Sequence, residues 1–185
     1  AGTFYTGVFA AYQATGDRSF RDAAHAWAEA ANWQLDERVL NADTICMGQT
    51  MMDLYLEDPH PGYIADIKSA IDAYFDWEVI TKDQLHAPNR AFWGDDGQVD
   101  FNGRNLWWWC DALYMAPPVI ARLHSATGEE RYLDLLHKLY WDSVDYLYDE
   151  RNSLFYRDVN FFPENMGTTE EEEKVFWGRG NGWVY

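Results

Sequence analysis

The sequence predicts an all-α protein built from stacked or ring-closed helical hairpins. Apolar residues recur at helical spacing in one segment after another, and Gly, Pro and Asp separate the segments. A turn pattern of nine residues occurs twice, at 14–22 and at 126–134. Hydrophobic residues make up 48% of the 185 residues, which is enough for a core, and we treat 1–185 as a single domain.

The periodic segments predict six helices, with approximate ranges 3–14, 17–32, 42–56, 63–79, 106–125 and 130–148. Gly16 is expected to end the first helix, and the Asp17 carboxylate to cap the second. Pro117 and Pro118 fall inside the fifth segment and predict a break or kink there. Residues 80–105 are rich in Gly, Asp and Asn and read as a loop long enough to suggest function.

The repeated turn supports a modular arrangement of these helices. Ala14-Thr15-Gly16-Asp17 corresponds to Ala126-Thr127-Gly128-Glu129, and in each copy an aromatic residue follows four positions after the glycine. Each copy predicts the bend of a helical hairpin, with a glycine stop and an acidic cap. Hairpins that repeat in this way bury their apolar faces against their neighbours. We assign the turn no chemistry.

Composition excludes several classes of function. A net charge of −17 argues against nucleic acid as a partner, because phosphate binding needs a basic surface. Cys46 and Cys110 are too few for a disulfide framework, and we expect both to be buried. No apolar run approaches the ~20 residues that span a bilayer, so no membrane association is expected. No metal or other cofactor is expected either.

The compartment stays open on sequence grounds. No signal peptide is seen at Ala1-Gly2-Thr3, and the sequence does not decide whether one preceded it. We expect a soluble bacterial protein, either cytoplasmic or periplasmic.

The last ten residues, 176–185, predict a binding site for an acidic sugar. Arg179 and Trp183 are four residues apart, so a helix places them on one face, and glycines leave room for close approach. A guanidinium pairs with a carboxylate, and an indole stacks on a sugar ring. Ten Trp and twelve Tyr in the chain suit a ring-binding cleft. The alternative is that these aromatic residues pack a helix start and the spaces between helices.

Three segments together carry a family resemblance. They are Asn-Ala-Asp-Thr-Ile-Cys-Met-Gly-Gln-Thr at 41–50, Trp-Cys-Asp-Ala-Leu-Tyr-Met-Ala-Pro-Pro at 109–118, and Trp-Gly-Arg-Gly-Asn-Gly-Trp at 177–183. In this order they resemble motifs of glycoside hydrolase families 88 and 105, the unsaturated glucuronyl and rhamnogalacturonyl hydrolases, family 105 in particular. The resemblance covers nearly the whole chain.

The resemblance implies an (α/α)6 toroid whose central funnel holds the site. Six hairpins need about twice this length, so the chain is similar to roughly the first half of a family member. We expect the hairpins to form an open arc with an exposed apolar edge, and we expect self-association through that edge.

The resemblance also implies an activity and a partner. Members of these families act on oligosaccharides that carry a terminal 4,5-unsaturated uronic acid, as a polysaccharide lyase leaves it. The reaction is hydration of a vinyl ether. An Asp donates a proton to C4 and helps water to add at C5, after which the hemiketal opens and the neighbouring sugar leaves.

Asp111 matches the catalytic Asp of the family. Apolar neighbours such as Trp109 and Leu113 should raise the pKa of an Asp on a helix here and let it hold a proton to donate. The alternative is an ordinary helix Asp on a solvated face. Asp43 matches the second acidic position, expected to fix the water or the ring. For Asp43 the alternative is a simple N-cap of the third helix.

The resemblance assigns substrate contacts to the C-terminal motif. Arg179 is expected to bind the uronate carboxylate and Trp183 to stack on the ring, with Trp177 and Asn181 beside them. Arg157 stands where some relatives have a His that contacts substrate, so the detailed contacts and the preferred sugar stay open.

Two other readings remain. One is a different (α/α)6 glycosidase that acts on intact sugars, which would need a second carboxylate placed for direct attack. The other is a carbohydrate-binding or scaffold protein without catalysis, which would keep Trp183 and have no need of Asp111.

Overall fold

The structure, a computed structural model, describes residues 1–36, 40–81, 96–167 and 174–185. Within these ranges the chain is mainly helical. The helices are α1 (Gly2–Thr15), α2 (Arg18–Ala30), α3 (Ala42–Cys46), α4 (Gly48–Glu57), α5 (Ala65–Asp72), α6 (Gly103–Leu106), α7 (Ala112–Met115), α8 (Pro117–Thr127), α9 (Arg131–Leu147), α10 (Pro163–Met166) and α11 (Gly178–Val184). The strands form two antiparallel pairs: β1 (Val79–Thr81) with β2 (Gln98–Asp100), and β3 (Tyr148–Asp149) with β4 (Leu154–Phe155).

The repeated turn forms two helical hairpins, α1/α2 and α8/α9. Gly16 and Gly128 both adopt φ of 73°, a left-handed conformation that costs glycine little. Their N–H groups donate to the carbonyls four residues back, at 2.8 and 2.7 Å, and so close each helix. Asp17 caps α2 by accepting a hydrogen bond from the Ser19 N–H at 2.9 Å. Both predicted hairpin turns and their glycine stops are confirmed. The predicted acidic cap is confirmed at Asp17 and wrong in the second copy, because the N-cap of α9 is Glu130, whose side chain makes no capping hydrogen bond.

The core runs between the hairpins. Helix α4 packs against α1, α2 and α8, and α9 packs against α6 and α8. The α6–α9 contact requires glycine, because a Cβ on Gly103 would stand 1.9 Å from the Leu139 carbonyl oxygen. Trp107, directly after α6, is fully buried. The Ser143 hydroxyl of α9 donates a hydrogen bond to the Trp107 carbonyl at 3.2 Å.

Two predicted helices are interrupted. The helix predicted at 42–56 is two helices, α3 and α4, that meet at Met47, whose N–H donates to the Thr44 carbonyl three residues back. The helix predicted at 63–79 is reduced to α5 with a 3₁₀ turn on either side. The hydrophobic period survives such interruptions, and for this reason periodicity did not reveal them.

The predicted helix at 106–125 is wrong in its first half. The chain instead forms α6, then an irregular segment, then the short α7, and only then α8. The predicted break at Pro117 and Pro118 is confirmed, since α7 ends at Met115 and α8 begins at Pro117. Pro117 stands in the first turn of α8, where a missing N–H costs nothing. The Gln49 side-chain amide donates to the Tyr114 and Met115 carbonyls at 3.0 Å each and satisfies groups that the break leaves open.

The predicted loop at 80–105 contains regular structure at both ends. Strands β1 and β2 pair with Ile80 opposite Val99, and α6 starts at Gly103. Residues 82–95 lie outside the described residues, so the functional expectation for that loop is untested. The β3/β4 pair was not predicted, because strands of two residues carry no readable alternation.

Cys46 and Cys110 are both buried, as predicted. No helix of the described ranges is long and apolar enough to cross a membrane. The outer face of α1 leaves the Phe4 side chain 68% exposed. The open arc, the single-domain boundary and self-association stay predictions.

Candidate active site

Asp111 occupies the turn that leads into α7, at the N-cap position, and not the helix interior that the sequence suggested. Its carbonyl accepts the N–H groups of Tyr114 and Met115, at 3.0 and 3.2 Å. The side chain is only 7% exposed, and its Oδ1 is buried with no hydrogen-bond partner in the part of the chain that the structure describes. A buried carboxyl oxygen without a partner is costly unless the group is protonated or a ligand reaches it.

A short antiparallel contact joins the Asp111 turn to residues 157–158. Trp109 and Asp158 form an isolated β-bridge, and the Cys110 N–H donates to the Arg157 carbonyl at 2.9 Å. These main-chain bonds place Arg157 beside Asp111, although the two are distant in sequence. The positive charge of Arg157 acts on the Asp111 carboxyl and lowers its pKa.

Helix α11 docks on β4 through Asn181. The Asn181 side chain is 5% exposed, and its Oδ1 accepts the Phe155 N–H at 2.7 Å. Its Nδ2 donates to the carbonyls of Phe155 and Trp177, at 2.9 and 3.1 Å. Both polar atoms of the Asn181 side chain are thus hydrogen-bonded to main-chain groups. Asn181 therefore holds α11 against β4, where the sequence had suggested a contact with sugar.

Gly180 allows α11 to approach this closely. A Cβ there would stand 2.2 Å from the Trp177 ring and 2.7 Å from the Cys110 Sγ. Gly178 and Gly182, in contrast, have open space where a Cβ would be. Close packing among the described residues thus explains only Gly180, the middle glycine of the motif.

The two arginines share one aromatic ring. The Arg179 Cζ lies 4.6 Å from the centroid of the Trp177 ring, and the Arg157 Cζ lies 5.8 Å from it. Both side chains are exposed, and Arg179 makes no salt bridge within the described ranges. Trp183 packs on Tyr114 of α7, with ring centroids 4.7 Å apart. Its exposure is intermediate, so part of the indole surface stays open.

Asp43 enters the site from α3, which packs against α7. The N-cap of α3 is Asn41, whose side-chain oxygen accepts the N–H of Asp43 at 3.0 Å and that of Thr44 at 3.3 Å. The capping alternative for Asp43 is therefore wrong. Its side chain is exposed, and its negative charge acts on the Asp111 carboxyl.

Burial and these charges set the proton affinity of Asp111. Burial is the largest influence, and with the nearby Asp43 charge it raises the pKa of Asp111 to about 6. The main-chain N–H of Asp111 opposes the rise, as do Arg157 and Arg179. The charged form of a carboxyl is disfavoured by a poorly solvated site and by a like charge. Burial of Cys110, together with the negative charge of Asp111, raises the pKa of the Cys110 thiol to about 12, so that thiol stays neutral.

Sequence reasoning missed Asp158. Its side chain is 1% exposed; Oδ1 accepts the Asn160 N–H and side-chain amide, at 2.9 and 2.7 Å. Oδ2 has no hydrogen bond among the described residues, but it stands 3.4 Å from the Arg157 Nη1 in an ion pair. The only sequence signal was an acidic residue directly after Arg157.

The structure therefore brings most of the predicted residues to one place. Asp111, Asp43, Arg157 and Arg179 interact electrostatically, and Trp177 and Trp183 flank them. Within the described ranges, no group of three or more His, Cys, Asp or Glu could hold a metal ion. The arrangement can hold an anion beside an acid that is able to donate a proton.

Comparison with known proteins identifies the family. The sequence profile of Glycosyl Hydrolase Family 88 matches residues 1–185. An unsaturated 3S-rhamnoglycuronyl hydrolase of Formosa agariphila is 34% identical, and the match covers 99% of this chain and 47% of that protein. The chain belongs to glycosyl hydrolase family 88.

Solved structures agree on the fold. A glycosyl hydrolase family 88 protein from Bacteroides vulgatus is 25% identical with a TM-score of 0.75, over 99% of this chain and 50% of that one. A protein described as a polysaccharide lyase is 28% identical with a TM-score of 0.75, over 99% and 49%. The predicted fold class is confirmed as all-α, with hairpins of an (α/α)6 toroid. The chain spans about half the length of each of these proteins.

Gly180 and Gly182 provide a matched test of how α11 docks. Gly180→Ala should lower the free energy of unfolding by about 1–3 kcal/mol, because the new methyl group meets a ring and a buried sulfur. Gly182→Ala should be neutral or stabilising by up to ~1 kcal/mol, because alanine favours a helix and the space is open. Urea unfolding of both variants measures this. Equal effects would contradict the close packing.

Asp43 and Arg157 should move the pKa of Asp111 in opposite directions. Asp43→Asn removes a like charge, so the pKa should fall below about 6; Arg157→Gln removes an opposing charge, so it should rise. The protonated form of Asp111 dominates below that pKa and is lost as pH rises through it. Carboxyl ¹³C NMR titration of Asp111 reads both shifts. Two shifts of the same sign would refute this picture.

Proposed function

We propose that the protein carrying this chain is a hydrolase that removes a terminal 4,5-unsaturated uronic acid from oligosaccharides produced by a lyase. The observation that carries the proposal is Asp111, a buried acid with a raised pKa beside Arg157 and Arg179. Family membership and the name of the Formosa relative support it. The activity belongs to the whole protein, of which relatives are about twice as long as this chain.

Asp111 acts as the general acid and then as the base. Its proton goes to C4 of the sugar, so that a C4–H bond forms, the C4=C5 π bond breaks, and an oxocarbenium ion centred on C5 results. Water adds to C5 and returns a proton to the Asp111 carboxylate. The C5 hemiketal opens to a ketone, and C1 collapses to an aldehyde as the aglycone leaves as an alcohol. The net change is the addition of one water.

A carboxyl with a pKa of about 6 suits this step, because it is acidic enough to donate its proton and a larger fraction of it stays protonated near neutral pH than of an ordinary Asp. Asp43 stands on the exposed side and orients the attacking water. Its negative charge also stabilises the positive charge that develops at C5.

The binding elements recognise an anionic ring. The Arg179 guanidinium, which has no carboxylate partner in the described part of the chain, pairs with the uronate carboxylate. Arg157 adds a second positive charge beside the same Trp177 ring. Trp183 gives an open indole surface for stacking.

Ultraviolet absorbance separates this proposal from its rivals. The conjugated uronate absorbs in the ultraviolet, and hydration removes the conjugation, so absorbance should fall when the full-length natural protein meets lyase-digested pectin. A lyase would raise the absorbance on the intact polysaccharide, because elimination creates the double bond. A glycosidase on intact sugars would release reducing ends and leave the absorbance unchanged. A binding protein would change neither.

Asp111→Asn should reduce kcat by roughly 10²–10⁴-fold, the usual contribution of a general acid, with little change in substrate affinity. Asp53→Asn is the control. Asp53 is another largely buried carboxyl whose pKa burial raises, but it pairs with Arg122 between α4 and α8. Steady-state kinetics of both variants provide the measurement. Near-normal turnover in Asp111→Asn would exclude Asp111 as the acid.

Arg179→Lys should raise KM by roughly 10- to 100-fold, because lysine keeps the charge but loses the two-pronged geometry, and a hydrogen bond to a charged group contributes ~1.5–3 kcal/mol. Arg104→Lys is the control, since Arg104 makes a two-pronged contact with Asp142 away from the site, from Nη2 to Oδ1 at 2.7 Å and from Nε to Oδ2 at 3.2 Å. If both variants leave KM unchanged, the carboxylate assignment fails.

A further inference from the structure

Asp158 has two oxygens in different situations. Oδ1 accepts two hydrogen bonds from Asn160 and caps the 3₁₀ turn Val159–Phe161. Oδ2 has no hydrogen bond in the described ranges, and the nearest cation is the Arg157 Nη1 at 3.4 Å. Capping therefore explains one oxygen and leaves the second, in a side chain 1% exposed, without a structural use beyond Arg157.

Arg157 is held at its base and exposed at its tip. Its carbonyl accepts the Cys110 N–H, so the main chain is fixed beside Asp111. The guanidinium is 5.6 Å from the Phe161 ring centroid and 5.8 Å from that of Trp177. A long side chain that ends in solvent loses rotamer freedom when it is held in one place, so a fixed position needs a partner. The Oδ2 of Asp158 is that partner.

We propose that Asp158 is a positioning residue that holds the Arg157 guanidinium beside Trp177, so that Arg157 and Arg179 bind the uronate together. The inference rests on the proposed function, since it names how that site recognises its anion. Arg157 and Arg179 repel each other, and a buried carboxylate behind Arg157 offsets this repulsion before substrate arrives. Substrate then meets two guanidiniums already placed around one indole.

Asp158→Asn separates positioning from capping. Asparagine keeps an oxygen for Asn160, so the 3₁₀ turn stays capped, but it puts an NH₂ group towards Arg157 where the carboxylate oxygen was. We expect KM of the full-length natural protein for the unsaturated disaccharide to rise about 5- to 30-fold, which is the effect of one or two kcal/mol. The kcat should change little, because Asp111 is intact.

A double variant tests the route through Arg157. If Asp158 acts through Arg157, adding Asp158→Asn to Arg157→Gln should raise KM no further. Asp142→Asn is the matched control, because it breaks another Asp–Arg ion pair, with Arg104, away from the site. Thermal unfolding of each variant shows whether the fold is kept.

The outcomes are distinct. An unchanged KM in Asp158→Asn, or additive effects in the double variant, would overturn the inference and leave the proposed function in place. If the wild-type protein turns over no unsaturated substrate, the proposed function fails, and calorimetric titration with glucuronic acid tests Asp158 without turnover. There the inference requires weaker binding by Asp158→Asn than by wild type and Asp142→Asn. Equal or absent binding in all three overturns it.

Discussion

The site depends on a short antiparallel contact between residues 109–110 and residues 157–158. Its bridge and its Cys110 N–H to Arg157 carbonyl bond connect the turn before α7 to the segment after β4. Asp111 follows directly on one side of this contact, and Arg157 and Asp158 form the other. Buried main-chain hydrogen bonds are costly to break, so Asp111 and Arg157 keep their relative positions. The docking of α11 through Asn181 and Gly180 builds on the same contact.

Opposing influences set the chemistry of Asp111. Burial and Asp43 favour its protonated form, while its own main-chain N–H, Arg157 and Arg179 favour its charged form. The balance leaves a pKa of about 6 and not a much higher one. Binding of an anion to the arginines would offset their effect on Asp111, so the proposed substrate itself would favour the protonated acid at the moment the proton is needed. A net charge of −17 for the whole chain is compatible with this, because the two arginines act locally.

The glycine-rich helix α11 shows how binding and packing share one motif. Three glycines in a helix of seven residues lower its intrinsic stability by roughly 1 kcal/mol each. Only Gly180 is required by contacts among the described residues, whereas Asn181 stabilises the helix through three hydrogen bonds to main-chain atoms. Tertiary contacts thus maintain a helix that its own composition disfavours. Gly178 and Gly182, next to Arg179 and Trp183 in the sequence, have open space where a side chain would be.

The sequence by itself determined the features that short-range chemistry controls. The glycine turns at Gly16 and Gly128, the Asp17 cap and the burial of both cysteines follow from local conformation and composition. Motif resemblance also indicated Asp111, Arg179 and the helical toroid. The tertiary structure alone decided the irregular segment between α6 and α7, the structural role of Asn181 and the place of Asp158 beneath Arg157. Those depend on hydrogen bonds and burial between segments far apart in the chain, which no local pattern encodes.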